Sequence, residues 1–160
     1  MADTFRIEKH ALRVECCDVR GECMAGEFFV ATQRGRAGEE RLQDLLATRR
    51  FVPLRHEQGL TFLSTSHLIW IRLNVLDALG EIDGEAEGAQ DAVSADVEVV
   101  LDNRERLHGF LRYLMPEHER RLSDYLARVP PFFPLRTGDW LYLLNRDRVL
   151  QIQAADGGGT

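Results

Sequence analysis

Two short stretches that recur in the same order decide how this chain is organised. Residues 41–47 read RLQDLLA and residues 51–55 read FVPLR, while residues 121–127 read RLSDYLA and residues 132–136 read FFPLR. Both copies fit the pattern R-L-x-D-x-L-A, a short spacer, and F-x-P-L-R. Its defining positions are Arg41, Asp44, Phe51 and Pro53, then Arg121, Asp124, Phe132 and Pro134. The shared order indicates a tandem duplication.

The similarity continues on both sides of this motif. Further aligned pairs are Val14 with Val97, Gly26 with Gly109, Leu63 with Leu144, and Ile71 with Ile152. Each repeat is about 60 residues long, a length at which a single core is marginally stable. We therefore expect the two repeats to pack on each other or on another chain.

The local patterns of each repeat are mostly typical of β-strands. In the first repeat, β-rich runs cover 12–17 and 22–31, a helical pattern covers 40–47, and a third strand begins at Phe51. Two more short strands follow, and the prolines of F-x-P-L favour an edge or a bulge. The predicted order is β-β-α-β-β-β in both repeats. The predicted fold is mainly β with short helices: two duplicated five-stranded small barrels packed as a pseudo-dimer.

Charge locates a linker between the repeats. The chain carries a net charge of -6, and seven of its 26 acidic residues fall between Asp77 and Asp96, where Lys and Arg are absent. This stretch is rich in Gly and Ala and poor in aromatic residues, a composition that does not support a packed core. The predicted domains are residues 1–75 and 96–153, joined by an acidic flexible linker over 76–95 and followed by a disordered tail over 154–160.

The predicted location is the cytoplasm. No apolar run approaches the roughly 20 residues that cross a bilayer. The first residues, MADTFRIEKH, carry charges where a secretory signal has an apolar segment. We expect no membrane association.

The order of elements resembles Sm-like and SH3-like small β-barrels. The resemblance rests on that order and on residues 63–69 and 144–150, LSTSHLI and LNRDRVL, which precede a final strand. The R-L-x-D-x-L…F-x-P-L signature is also similar to small uncharacterised bacterial proteins with one such unit. In Sm-like proteins, Asp, Asn and basic residues of two loops hold RNA, and these have no one-to-one match here. The resemblance therefore implies a fold more than a ligand.

Candidate catalytic and metal-binding residues are sparse. Cys16, Cys17 and Cys23 lie on the first hairpin, where a disulfide between Cys16 and Cys23 is geometrically possible and free thiols are the expectation for a cytoplasmic chain. The five histidines are scattered, and no common zinc spacing occurs. The chain has no G-x-S-x-G, P-loop or H-E-x-x-H motif. We expect no enzyme activity, metal or cofactor.

Three residues are candidates for binding. Arg55 and Arg136 each follow F-x-P-L and are expected to flank a strand edge, although a structural role is an alternative. Trp70 alternates with Ile69 and Ile71, so we expect it to be partly exposed at an interface. Arginine pairs also recur along the chain: Arg34/Arg36, Arg49/Arg50, Arg104/Arg106, Arg120/Arg121 and Arg146/Arg148.

These features predict a non-catalytic binding or scaffold protein. It would act through strand edges and self-association, as a homo-oligomer or with a protein partner. The alternative is an Sm-like protein that binds RNA or a nucleotide through its arginine pairs.

Overall fold

The computed structural model describes residues 8–32, 42–77, 92–114 and 121–155. Ten strands account for most of them: β1 (Glu8–Asp18), β2 (Cys23–Thr32), β3 (Phe51–His56), β4 (Gly59–Ser64), β5 (Leu68–Asn74), β6 (Val93–Leu101), β7 (Arg106–Tyr113), β8 (Phe132–Thr137), β9 (Trp140–Asn145) and β10 (Val149–Ala154). Two short helices are α1 (Leu42–Thr48) and α2 (Leu122–Leu126), and 3-10 turns cover Thr65–His67 and Arg146–Arg148. The mainly β fold class is confirmed, and each half has the predicted order β-β-α-β-β-β.

All ten strands belong to one antiparallel sheet. The order across the sheet is β10-β6-β7-β8-β9-β5-β1-β2-β3-β4. Strands β1 to β5 occupy one side and β6 to β10 the other. Strands β4 and β10 are therefore the two outermost strands of this sheet.

The two halves share their strand pairing residue by residue. Val14 lies opposite Gly26 as Val97 lies opposite Gly109, and Phe51 lies opposite Ser64 as Phe132 lies opposite Asn145. The register of the β1–β5 pairing shifts between Cys17 and Asp18, and the register of the β6–β10 pairing shifts at the equivalent place, between Val149 and Gln151. Residues at the same place in the registers of the two halves are equivalent residues.

Strand β5 joins the halves by pairing with β9. The opposing residues are Trp70 and Leu144, Ile71 and Leu143, Arg72 and Tyr142, Leu73 and Leu141, and Asn74 and Trp140. We call this pairing the β5–β9 junction. It makes the sheet continuous from β10 to β4.

The hydrophobic core also crosses the junction. One buried cluster is made mostly by the first half, but it includes Phe132, Leu141 and Leu143 of the second half. The other cluster is made mostly by the second half, and it includes Ile69 and Trp70 of the first. Each half therefore completes the core of the other, and neither is enclosed by its own residues alone.

The linker prediction needs one correction. Strand β6 begins at Val93, and Ala95 is buried in the second core cluster, so the last residues assigned to the linker belong to a strand. Alternation of Val93, Ala95 and Val97 toward the core explains this, since small apolar residues at every second position suit a half-buried strand. Ala154, the first residue of the disordered tail predicted over 154–160, is likewise the last residue of β10. Residues 78–91 of the predicted linker lie outside the described residues, as do residues 1–7 and 156–160.

The prolines of the repeated motif do not lie at a sheet edge. Pro53 is in β3, between β2 and β4, and Pro134 is in β8, between β7 and β9. The sheet tolerates them because β2 and β3 are paired only at Glu27 and Arg55, and β7 and β8 only at Phe110 and Arg136. A proline N–H is therefore not needed on that side of the strand.

Gly26 and Gly109 lie where two strands approach closely. A Cβ atom added at Gly26 would collide with the carbonyl oxygen of Arg55, and one added at Gly109 would collide with that of Arg136. These two glycines are equivalent, so the same close approach of neighbouring strands occurs in each half. Any larger side chain would push β2 from β3 or β7 from β8.

We expect Gly26→Ala to destabilise the protein by about 1 to 3 kcal/mol, since the new methyl group must displace backbone. Ala25→Val is the matched control, because Ala25 is the exposed neighbour on the same strand, and it should change stability by less than about 0.5 kcal/mol. Urea unfolding followed by circular dichroism measures both. An unchanged midpoint for Gly26→Ala would show that the two strands are not in close contact.

Candidate interaction surface

The β4 edge of the sheet carries exposed apolar side chains. Leu60 and Phe62 on β4 are 53% and 62% exposed, and Phe51 on the adjacent strand β3 is 54% exposed. Together, Phe51, Leu60 and Phe62 form what we call the β4 edge. Strand β4 has the sequence GLTFLS and contains no charged residue. Natural sheets usually protect such an edge with charge or proline, so this one is open to pairing.

The β10 edge is open in the same way. Its sequence, VLQIQA, also lacks charge, and Leu150 is 65% exposed. The backbone N–H of Ala155 donates to Asp96 on β6. Because hydrogen bonds alternate sides along an antiparallel strand, Ile152 and Ala154 direct their backbone groups away from β6. We call Leu150, Ile152 and Ala154 the β10 edge.

Arg72 is the centre of the side-chain contacts at the β5–β9 junction. Its Nη2 donates to Glu15 Oε2 at 2.7 Å, and its Nη1 donates to the Tyr142 hydroxyl at 3.0 Å. Its guanidinium carbon lies 4.3 Å from the centre of the Trp140 ring. The guanidinium thus contacts the second half through a hydrogen bond and a cation–π contact, while the ion pair with Glu15 holds it in place within the first half.

Trp70 is buried, so the expectation of partial exposure is wrong. It is 5% exposed, packs edge-to-face on Tyr142 at 5.2 Å between ring centres, and donates from Nε1 to Glu105 Oε1 at 2.9 Å. Trp70 and Ile71 belong to different core clusters, as alternation predicts, but Ile69 belongs to the same cluster as Trp70 because the register shifts at that point. Burial of Trp70 follows because β9 and the second half cover it. Trp70 therefore lies at an interface within the chain.

Arg55 and Arg136 do not converge on one site. Arg55 is exposed and lies over the Phe29 ring at 4.8 Å, whereas Arg136 is half-buried over the Phe110 ring at 5.8 Å. Arg55 lines a groove of about 570 Å³ together with Arg13, Glu27 and Glu57. Two arginines and two glutamates there leave the groove without a dominant charge, so it does not select for an anion.

The repeated helix residues lie apart from both edges. Asp44 is exposed on α1, and its carbonyl oxygen accepts from the Thr48 hydroxyl. The carbonyl oxygen of Arg121 accepts from the backbone of Asp124 and starts α2. Burial raises the pKa of Tyr113, and the nearby charge of Asp124 adds to that rise. Arg41 lies outside the described residues.

Helix α1 contributes to the contact between the halves. Gln43 Nε2 donates to the carbonyl oxygen of Phe132 at 2.9 Å, and Phe132 is buried. Phe51, the equivalent of Phe132 in the first half, is exposed at the β4 edge. The two phenylalanines of the repeated motif therefore differ in what covers them. The motif prolines, Pro53 and Pro134, pair with Phe62 and Leu143 respectively.

The first hairpin contains a disulfide, although free thiols are the sequence-based expectation. Cys17 is bonded to Cys23, and Cys16 is a buried free thiol. The expected partner, Cys16, is one residue out of register. The reason is a three-residue loop: the backbone of Asp18 pairs with Glu22, and Gly21 has a φ of +83°. Such a loop ends in a glycine bulge and places Cys17 opposite Cys23.

Three arginines of the described pairs, Arg106, Arg146 and Arg148, make side-chain contacts within the protein. Arg148 donates to the carbonyl oxygen of Ser66 at 2.9 Å and to Asp102 at 3.3 Å. Arg106 donates to Glu98 at 2.6 Å, and Arg146 donates to the carbonyl oxygen of Val129. The pair Arg34/Arg36 and residue Arg120 lie outside the described residues.

Neither a group of metal ligands nor a membrane-spanning helix occurs in the described residues. Across residues 8–32, 42–77, 92–114 and 121–155, no three His, Cys, Asp or Glu side chains are grouped as metal ligands. In the same residues, no helix is long and apolar enough to cross a membrane.

Sequence reasoning missed the residues that matter most at the edges and the junction. The missed residues, which lie outside the repeated R-L-x-D-x-L…F-x-P-L motif, are Arg72, Leu60, Phe62 and Leu150. The signal that was available is the absence of charge from residues 59–64 and 149–154. A strand with no charged residue is typical of the interior of a sheet, so its presence at an edge stands out once the strand order is known.

The comparisons add no relative. The chain matches no family model, no curated protein and no solved structure. Function is therefore inferred from the geometry of the sheet.

The cysteines allow a direct test of whether the hairpin contains a disulfide. Burial raises the pKa of the Cys16 thiol to about 12, although its hydrogen bond to Met24 opposes the rise. At pH 8 we expect the native protein, purified without reductant, to show no reactive thiol toward Ellman's reagent. Unfolding should release one thiol, and unfolding with prior reduction should release all three. Three thiols without reduction would contradict the Cys17–Cys23 pairing.

Proposed function

We propose that this protein is a non-catalytic scaffold that self-associates through the open edges of its sheet. The observation that carries the proposal is the pair of uncharged outer strands, β4 and β10, with exposed apolar side chains on each. Backbone pairing supplies the affinity of such contacts, and side chains on alternate positions supply their specificity.

We also propose that the halves are duplicated small barrel-type units, of the Sm-like or SH3-like kind, packed as a pseudo-dimer through the β5–β9 junction. The matching registers of the two halves support this proposal. So does the equivalent close approach at Gly26 and Gly109. Each duplicated unit would have two edge strands, and the β5–β9 junction would pair one edge strand of the first unit with one of the second.

The proposed location is the cytoplasm, and the disulfide bears on it. Disulfides are rare in reducing compartments. Cytoplasmic function therefore requires the fold to persist when Cys17 and Cys23 are reduced. The hairpin has ten register pairs between β1 and β2, so its backbone pairing does not depend on the sulfur bond alone.

RNA or nucleotide binding by the arginine pairs is the alternative function. It has less support, because Arg106, Arg146 and Arg148 donate to groups of the protein itself. The alternative predicts a nucleic acid that copurifies with the chain and dissociates at high salt, since counterion release drives such binding.

Light scattering coupled to size exclusion tests the scaffold proposal. We expect the wild type to form a multimer and Phe62→Lys to weaken association at least tenfold. Burying a phenylalanine stabilises by about 1.5 to 3 kcal/mol, and the variant replaces that gain with a charge. Leu76→Lys is the matched control, because Leu76 is an exposed leucine outside both edges, and it should associate like the wild type.

Two results would overturn the proposal. The first is a wild-type monomer at all concentrations up to about 1 mM, an affinity range in which weak specific contacts are already measurable. The second is a multimer whose absorbance at 260 nm is raised and whose mass falls to that of the monomer when salt strips the nucleic acid. That second result would favour the RNA-binding alternative.

A further inference from the structure

The β5–β9 junction is a template for contact between copies of this chain. Strand β9 is the equivalent of β4, and strand β5 is the equivalent of β10, because the registers of the two halves match. The junction therefore pairs a β4-type edge with a β10-type edge. The two edges that remain open are one of each type.

The exposed apolar residues of the open edges have buried equivalents at the junction. Leu60 is equivalent to Leu141, Phe62 to Leu143, Phe51 to Phe132, and Leu150 to Ile69. All four exposed residues are more than half exposed, whereas all four equivalents are at most 2% exposed. The half on the far side of the junction is what covers these equivalents. The open edges thus expose the kind of apolar surface that the opposite half covers at the β5–β9 junction.

We infer that β4 of one copy pairs antiparallel with β10 of a second copy, in the register of the β5–β9 junction. This inference rests on the proposed self-association and names its partner and geometry. The expected opposing residues are Gln151 and Leu63, Ile152 and Phe62, Gln153 and Thr61, and Ala154 and Leu60.

The backbone groups of the two edges suit this register. At the junction, the N–H of Val75 donates to the carbonyl oxygen of Asp139. Because hydrogen-bonded and non-hydrogen-bonded pairs alternate along antiparallel strands, the opposing residues Leu73 and Leu141 are also hydrogen-bonded, and so are Ile71 and Leu143. Their equivalents are Ala154–Leu60 and Ile152–Phe62. On the β10 edge, Ile152 and Ala154 are the residues whose backbone groups point outward.

The contact is head-to-tail, so the pair of copies together keeps one β4 edge and one β10 edge open after the first contact. Further copies can add through the same contact. The assembly is a closed ring if the rotation from one copy to the next is a whole fraction of a full turn, and it is an open helical filament otherwise. A symmetric contact, such as β4 with β4 of the second copy, would stop at a dimer. The two arrangements therefore differ in how edge variants behave when mixed.

Mixing two edge variants tests the inference. Phe62→Lys blocks the β4 edge and Leu150→Lys blocks the β10 edge; both positions are exposed, so both variants should fold with an unchanged circular dichroism spectrum. We expect each variant alone to be monomeric. An equimolar mixture should form a dimer, twice the 18.3 kDa of one chain, because one β4 edge and one β10 edge remain open. Leu76→Lys keeps both edges intact, so on its own it should form the same multimer as the wild type.

The mixing experiment separates the possible failures. If Leu150→Lys alone still dimerises while Phe62→Lys does not, the contact is β4 with β4, which overturns this inference and leaves the scaffold proposal in place. If the wild type is monomeric, the scaffold proposal itself fails. If the variants are monomeric alone and do not associate when mixed, the head-to-tail pairing is overturned.

Cross-linking tests the register. Thr61→Cys and Gln153→Cys variants, mixed and oxidised, should give a disulfide-linked heterodimer on a non-reducing gel, because directly opposite residues lie within disulfide range. Thr61→Cys mixed with Gln151→Cys is the control, shifted by two residues, and should cross-link at least tenfold more slowly. The wild type should not cross-link. Equal rates for the two mixtures would overturn the proposed register.

Discussion

Backbone pairing between β5 and β9 connects the two halves of the sheet, and Arg72 lies at its centre. The guanidinium of Arg72 bonds to Glu15 on β1 and to Tyr142 on β9, and it stacks on Trp140. A half of about 60 residues has a marginal core on its own. The junction changes this by placing residues of each half in the core of the other. The stability of the whole chain thus depends on a contact that neither half contains alone.

Local sequence pattern was sufficient for the elements. Alternation of apolar residues gave the strands, the spacing of Leu42, Leu45 and Leu46 gave α1, and the recurrence of F-x-P-L placed β3 and β8. These features are decided within a few residues of each position. The turn at Gly21 is the exception, since a three-residue loop and a four-residue turn look alike in sequence and differ by one residue in register. That difference exchanged Cys16 for Cys17 as the partner of Cys23.

Pairing between distant strands could not be read from the same pattern. Nothing local to residues 68–74 shows whether their second neighbour is β9 or a strand of another chain. The burial of Trp70 follows from that neighbour, because Tyr142 and Glu105 come from the second half. The exposure of Phe51 and the burial of Phe132 differ for the same reason. Candidate site residues were therefore predictable by type, but not by exposure.

The two edges that form the junction differ in chemistry from the two that remain open. Trp70, Arg72 and Tyr142 are the junction residues on one face of the sheet, and their equivalents at the open edges are Gln151, Gln153 and Thr61. The ion pair, cation–π contact and buried aromatic ring of the junction have no counterpart there. A contact between copies would keep the backbone pairing and the apolar face, but would lack these charged and aromatic contacts. The proposed contact between copies would therefore be weaker than the β5–β9 junction, and it would dissociate more readily.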